Sequence, residues 1–125
     1  MARILVVDDD RVILRLVQVR LERAGHSVLA ISSPHKALEL VLGGELPDVV
    51  VLDVVMPEIT GLELLQALRL GLGLATLPAV FLSGRVEPEQ IEAGQALGAI
   101  YLTKPFVASA LLKAIDEAIR SAPSG

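Results

Sequence analysis

Four short apolar runs in this chain stop at residues able to do chemistry. Ile4-Leu5-Val6-Val7 runs into Asp8-Asp9-Asp10, Val49-Val50-Val51-Leu52 into Asp53, Ala79-Val80-Phe81-Leu82 into Ser83-Gly84, and Ala99 to Leu102 is followed closely by Lys104-Pro105. Two carboxylates about 4 Å apart repel by roughly 4 kcal/mol at an effective dielectric of 20. Asp8, Asp9 and Asp53, once gathered, therefore require protonation or a cation. Their donors are all oxygen, with no Cys in the chain and no His beside them. Such a set favours a hard divalent ion, and few protein ligands with room for water suit Mg²⁺, or Mn²⁺ in its place.

Lys104 supplies a complementary charge, and the hydroxyl of Ser83 completes an anion site with a nucleophile, Asp53, inside it. Phosphoryl transfer to an aspartate needs that combination. Cation and lysine neutralise the moving oxygens, while Ser83 and backbone N–H groups such as that of Gly84 position them. Lys104-Pro105 is read as a candidate cis peptide. Asp10 is left out of the site, because its place before a helical pattern is that of an N-cap. Taken singly, an Asp at a strand end is usually a turn or cap residue, and Lys-Pro or Ser-Gly after a strand is usually a loop. The conjunction, at the ends of the first, third, fourth and fifth strands, carries the reading.

These residues meet only if their strands lie side by side. Strand and helix patterns alternate along the whole chain in five repeats, which predicts an α/β fold with a parallel sheet and helices on both faces. The carboxyl edge of such a sheet is where ligands sit. The first helix is expected from Arg11 to Gly25, with Ile13, Leu14, Val17 and Leu21 toward the core and Val12, Leu16 and Val19 on another face. Ser27 to Ile31 reads as the second strand. The next helix opens at Ser33-Pro34, an N-cap followed by proline, and stops at Gly43-Gly44.

The third helix is read from Gly61 to Arg69, with Leu62, Leu65, Leu68 and Leu64 as its apolar side and Leu70 to Leu74 as a flexible exit. The fourth, Glu87 to Leu97, is the loosest, since Gly94 inside it costs about 1 kcal/mol relative to alanine. The last spans Val107 to Arg120, with Leu111, Leu112, Ile115 and Ile119 inward. Residues 1–120 are expected to form one domain and 121–125 a disordered tail or truncated linker.

Hydrophobic residues make up 53% of the 125 residues and aromatics 2%, so the core is aliphatic. A net charge of −4 without any basic run argues against nucleic acid or an anionic membrane as partner. The N-terminal apolar run is too short for a signal peptide or a membrane span, and a cytoplasmic location is the expectation.

With these residues in view, the chain resembles the receiver domain of two-component response regulators over roughly Arg3 to Arg120. Val6-Val7-Asp8-Asp9 resembles the family's acidic pair, Asp53 its phosphoacceptor, and Asp53-Val54-Val55-Met56-Pro57 with Gly61 its D-x-x-M-P…G signature. Ser83 resembles its hydroxyl residue, Tyr101 its aromatic switch position, and Lys104-Pro105-Phe106 its K-P-F turn. The resemblance implies a doubly wound, flavodoxin-like sheet in the order 2-1-3-4-5. It implies Mg²⁺ held by Asp9, Asp53 and the backbone carbonyl of Val55, with Asp8 acting largely through water. It also implies a histidine kinase or histidine phosphotransfer protein as donor, and a downstream protein or C-terminal output domain as reader of a Ser83/Tyr101 switch. Such a domain is a signalling phosphoacceptor that catalyses only its own phosphorylation and slow dephosphorylation. Ile59-Thr60, Gly84 and the helix entry Val107-Ala108-Ser109 depart from the common pattern without removing a reacting group.

Two other classes remain at this level. A phosphatase of the haloacid-dehalogenase type would use Asp8-x-Asp10-x-Val12 with Asp8 as nucleophile, although no paired acidic motif follows the fourth strand. A phosphorylation-independent interaction module on the same fold would have no need of Lys104 or paired acids. Gly71-Leu72-Gly73 follows a helix and lacks Gly-Lys-Ser/Thr, so a nucleotide loop is a poor reading.

Overall fold

The computed structural model describes residues 1–84 and 87–121. Its elements are β1 (Arg3–Val7), α1 (Arg11–Arg23), β2 (Ser27–Ile31), α2 (Pro34–Leu42), β3 (Val49–Asp53), α3 (Gly61–Leu72), β4 (Ala79–Ser83), α4 (Pro88–Ala96), β5 (Ile100–Thr103) and α5 (Ala108–Ser121). The five strands pair in parallel in the order β2-β1-β3-β4-β5, the doubly wound order expected. β3 is buried along its whole length, as a central parallel strand with both faces covered must be.

Alternation along each strand sorts the core into two layers. Val6, Val49, Val51, Val80 and Leu82 pack with Leu14, Val17 and Leu21 of α1 and Leu111, Ala114 and Ile115 of α5. Leu5, Val7, Val50, Leu52 and Phe81 pack with Ala37 and Val41 of α2 and Leu64, Leu65 and Leu68 of α3. The caps at Asp10 and Ser33 are those expected from the sequence, and the one at Thr60 is an addition that the sequence reading did not mark. Asp10 accepts from the N–H groups of Val12 and Ile13, Ser33 caps α2 with Pro34 next to it, and Thr60 forms a reciprocal capping box with Glu63. Thr60, a departure from the family pattern, is thus the residue that starts α3.

Two local expectations are corrected. Leu70 to Leu74 is not a flexible exit: α3 continues to Leu72 and ends at Gly73, whose φ of 67° makes the left-handed cap. Gly71 sits against α2, where an added Cβ would lie 2.5 Å from Leu42 Cδ2, so its missing side chain serves helix packing. In α5 the buried stripe is Leu111, Ala114, Ile115 and Ala118, while Ile119 is 38% exposed and Leu112 only partly covered. Small alanines let this helix approach the sheet, turning Ile119 outward. Ser121, read as the start of the tail, is the last residue of α5, and 122–125 lie outside the described residues.

Candidate functional site

Register brings the reactive residues to one edge. Val7 pairs with Leu52, Asp53 with Leu82, and Ser83 with Thr103. Asp8, Asp53, Ser83 and Lys104 therefore end neighbouring strands side by side. The pleat then divides them. Asp8, Asp53 and Lys104 continue the alternation of Val6, Val51 and Leu102, on the α1/α5 side of the sheet. Ser83 continues the alternation of Phe81 and Tyr101, on the α2/α3 side.

The Lys104 ammonium donates to Asp8 Oδ2 at 2.9 Å and stands 3.5 Å from Asp53 Oδ1. Asp8 is fully buried, and its other oxygen accepts from the Asp10 N–H at 2.9 Å. The Lys104 main-chain N–H donates to the Ser83 carbonyl at 2.8 Å, and the Lys104–Pro105 peptide is cis. The Asp53 carboxyl is raised from 3.8 to about 6, chiefly because burial disfavours its charge, with the Asp8 charge adding to the effect, Lys104 opposing it and Asp9 adding a little more. Burial by itself works against the Lys104 ammonium, but the hydrogen bond with Asp8 and the two carboxylate charges outweigh it and leave its pKa raised.

One carboxylate oxygen each of Asp8, Asp9 and Asp53 lies within 4.8 Å of the other two, with Asp9 open to solvent. An all-oxygen cluster with one solvent-facing member fits a hard divalent cation that keeps part of its water shell. Val55, just past Asp53, is 64% exposed. The loop carrying it is pinned at its far end, where the Gly61 N–H donates to the Val54 carbonyl at 2.9 Å. A Cβ on Gly61 would run into the Asp53 carbonyl oxygen, so only glycine lets α3 start this close to β3. Glu58, in the same loop, has a φ of 77° and pairs with His35 at 2.9 Å.

Ser83 is buried and Gly84 exposed at the end of β4. Tyr101 is half-buried, its ring 5.4 Å from that of Phe81 and its hydroxyl donating to the Gln90 carbonyl of α4. Val12 and Leu16 are exposed and Val19 half-covered, so the second stripe of α1 is not a core face. Arg85, which the sequence places two residues after Ser83, falls outside the described residues. Sequence reading also missed Arg69, whose guanidinium leaves α3 to donate to the carbonyls of Leu77 and Leu97. A single arginine at a helix end carries no periodic signal that would have marked it.

The geometry bears on the phosphatase reading. Asp10 is committed to the α1 cap and Asp8 is buried under Lys104, so neither carboxylate is presented as a phosphatase nucleophile. The described helices include none long and apolar enough to cross a membrane.

Comparison with known proteins gives a consistent answer. The sequence profile of the response regulator receiver domain matches residues 4–116. The sensory/regulatory protein RpfC of Xanthomonas campestris pv. campestris is 38% identical over 118 residues, covering 92% of this chain and 16% of that protein. The alkaline phosphatase synthesis transcriptional regulatory protein PhoP of Bacillus subtilis is 39% identical over 105 residues, 83% of this chain and 42% of PhoP. The chain thus spans less than half the length of these two relatives. Among solved structures, the Vibrio cholerae chemotaxis protein CheY4 superposes with a TM-score of 0.85 at 33% identity, covering 94% of this chain and 98% of that one.

Proposed function

The chain belongs to the response regulator receiver domain family of two-component signalling, and on that premise we propose that Asp53 is its phosphoacceptor, served by a histidine kinase or histidine phosphotransfer protein. The observation that carries this reading is the convergence of Lys104 on both Asp8 and Asp53 at the carboxyl edge. Asp8, Asp9, Asp53 and the Val55 carbonyl would hold Mg²⁺ or Mn²⁺, which when bound supplies positive charge opposite the transferring phosphoryl oxygens.

An Asp53 carboxylate oxygen attacks phosphorus in line with the donor imidazole. The new O–P bond forms as the N–P bond breaks, and the electron pair leaves with the imidazole nitrogen. Asp53 must be ionised to attack, a state favoured above its pKa of about 6. Lys104 compensates the charge that arrives, and the Ser83 hydroxyl with the Gly84 N–H orients the phosphoryl oxygens. Ser83 then turns toward the phosphoryl group and Tyr101 moves inward. Driving such a switch from 1:99 to 99:1 takes about 5.5 kcal/mol of differential stabilisation, within reach of two or three charge-assisted contacts of about 1.5–3 kcal/mol each.

Docking of the donor is assigned to the exposed residues Val12 and Leu16 of α1, beside exposed Val107 at the entry to α5. The phosphorylated surface would be read by a downstream protein or a C-terminal output domain in the cytoplasm, without direct contact of this domain with nucleic acid or membrane. Residues 1–120 would act as the receiver unit. The test is mass spectrometry after incubation with acetyl phosphate and Mg²⁺. One phosphoryl group on Asp53, absent from Asp53→Asn, is expected, and an unmodified Asp53 in the wild-type protein would overturn the assignment.

A further inference from the structure

Helix α4 is held to the sheet in an unusual way. Its one buried residue is Gly94, and its N-cap position, Glu87, makes no side-chain cap. The apolar stripe that fixes α1, α3 and α5 is missing. In its place, the ring of Tyr101 lies across the helix backbone at Gly94. A Cβ built on Gly94 would collide with Tyr101 Cε2 and stand 3.1 Å from both Cδ2 and Cζ. One turn earlier the Tyr101 hydroxyl donates to the main-chain carbonyl of Gln90, and the Gln90 side-chain oxygen nearby is buried without a partner among the described residues. Behind the ring stands Phe81, tilted 45° to it. At the other end of the helix, Arg69 donates to the carbonyl of Leu97, the C-cap residue, at 2.7 Å.

We infer that Gly94 is the positioning residue for Tyr101: the side-chain-free notch it leaves seats the ring, so that Tyr101 clamps α4 while seated and releases it on leaving, with Arg69 retaining the helix C-terminus. The inference deepens the switch reading of Ser83 and Tyr101 and rests on it for its signalling consequence, though the clamp itself is a property of the unmodified fold. A Tyr101 ring that leaves the notch removes both contacts it makes with α4, the packing at Gly94 and the hydrogen bond to Gln90. Burial also raises the Tyr101 phenol above its ordinary 10, in keeping with a seated ring.

The sequence provides its own reporter, since Tyr101 is the one tyrosine of the chain and there is no tryptophan. The test is a double-mutant cycle of Gly94→Ala and Tyr101→Ala, read by urea denaturation, with acrylamide quenching of tyrosine fluorescence and amide hydrogen exchange. By helix propensity alone, Gly94→Ala raises the folding equilibrium constant about fivefold. That gain is expected in the Tyr101→Ala background. In the wild-type background the added methyl evicts the ring, so the constant falls, quenching of Tyr101 increases, and exchange across 88–97 accelerates relative to α1 and α5. An equal gain in both backgrounds, or unchanged quenching in Gly94→Ala, would overturn the notch. Unchanged exchange of 88–97 in Tyr101→Ala would overturn the clamp. Labelling of Asp53 by acetyl phosphate is measured on the same proteins: an unlabelled wild type would remove the phosphoacceptor reading while leaving the cycle to decide the notch.

Discussion

Lys104 and Asp8, 96 residues apart in the chain, meet across the carboxyl edge of the sheet at 2.9 Å, the carboxylate fully buried and the ammonium side chain 19% exposed. Neither charge could be placed there alone, because a buried carboxylate without a partner carries its full desolvation cost. The pair fixes the ends of β1 and β5, the first and last strands, onto the strand that bears Asp53.

Removing the ammonium should therefore destabilise the protein as well as disarm it. Lys104→Met is expected to lower the unfolding free energy by about 3 kcal/mol in EDTA, the scale for breaking a buried pair from one side. Part of that loss should return in Mg²⁺, because the three carboxylates then have another cation. Urea denaturation with and without Mg²⁺ reads both effects, and equal losses in the two conditions would contradict the shared electrostatic role.

The raised Asp53 pKa has a pH signature with a definite sign. Between the unfolded value near 3.8 and the folded value of about 6 the native state holds more protons at this group than the unfolded state. Stability of the metal-free protein accordingly falls as pH rises through that window and is regained on acidification, by an amount on the order of 2 kcal/mol. Denaturation in EDTA at pH 4.0, 5.0 and 7.0 measures the slope, approximate working points chosen to bracket the titration. Subtraction of the Asp53→Asn curve isolates the contribution of this carboxyl, and parallel curves would refute the assignment.

Gly61→Ala should cost about 2 kcal/mol, in the range for overpacking a filled site, since its methyl has only the Asp53 carbonyl and the Val54 backbone to push against. Thermal unfolding gives the magnitude. The same variant should be phosphorylated more slowly by acetyl phosphate, because the displaced backbone carries the proposed acceptor.

Val55, apolar and 64% exposed beside Asp53, cannot orient an attacking water. A phosphorylated form that persists for minutes or longer is expected, and Val55→Asn should shorten its lifetime severalfold. Loss of the phosphoryl group within seconds from the wild-type protein, followed by mass spectrometry, would contradict this.

Leu16→Asp places a charge on the exposed stripe of α1, where Leu16 is 45% exposed, so stability should change by less than about 0.5 kcal/mol. Transfer from a histidine phosphodonor should slow by roughly tenfold, the scale of a 1.4 kcal/mol interface loss, while labelling by acetyl phosphate is unaffected. Equal rates from both donors in mutant and wild type would remove α1 as the docking face.

Element types and the chemistry at strand ends were legible in the sequence because both are local. Buried parallel strands read as unbroken aliphatic runs, caps read as Asp10 and Ser33-Pro34, and the acids, hydroxyl and lysine stand where those runs stop. What the residues could not state locally is which partners each would meet. Register and pleat, set by pairing between strands distant in sequence, decided that Asp8, Asp53 and Lys104 share one side of the edge and Ser83 and Tyr101 the other. Packing between helices decided that Gly71 continues α3 against Leu42 and that Ala114 and Ala118 turn Ile119 outward. Gly94 shows the difference most sharply. Helix propensity marks it as a weakness, and only the arrival of Tyr101 from the neighbouring strand makes the absence of its side chain a requirement of close packing.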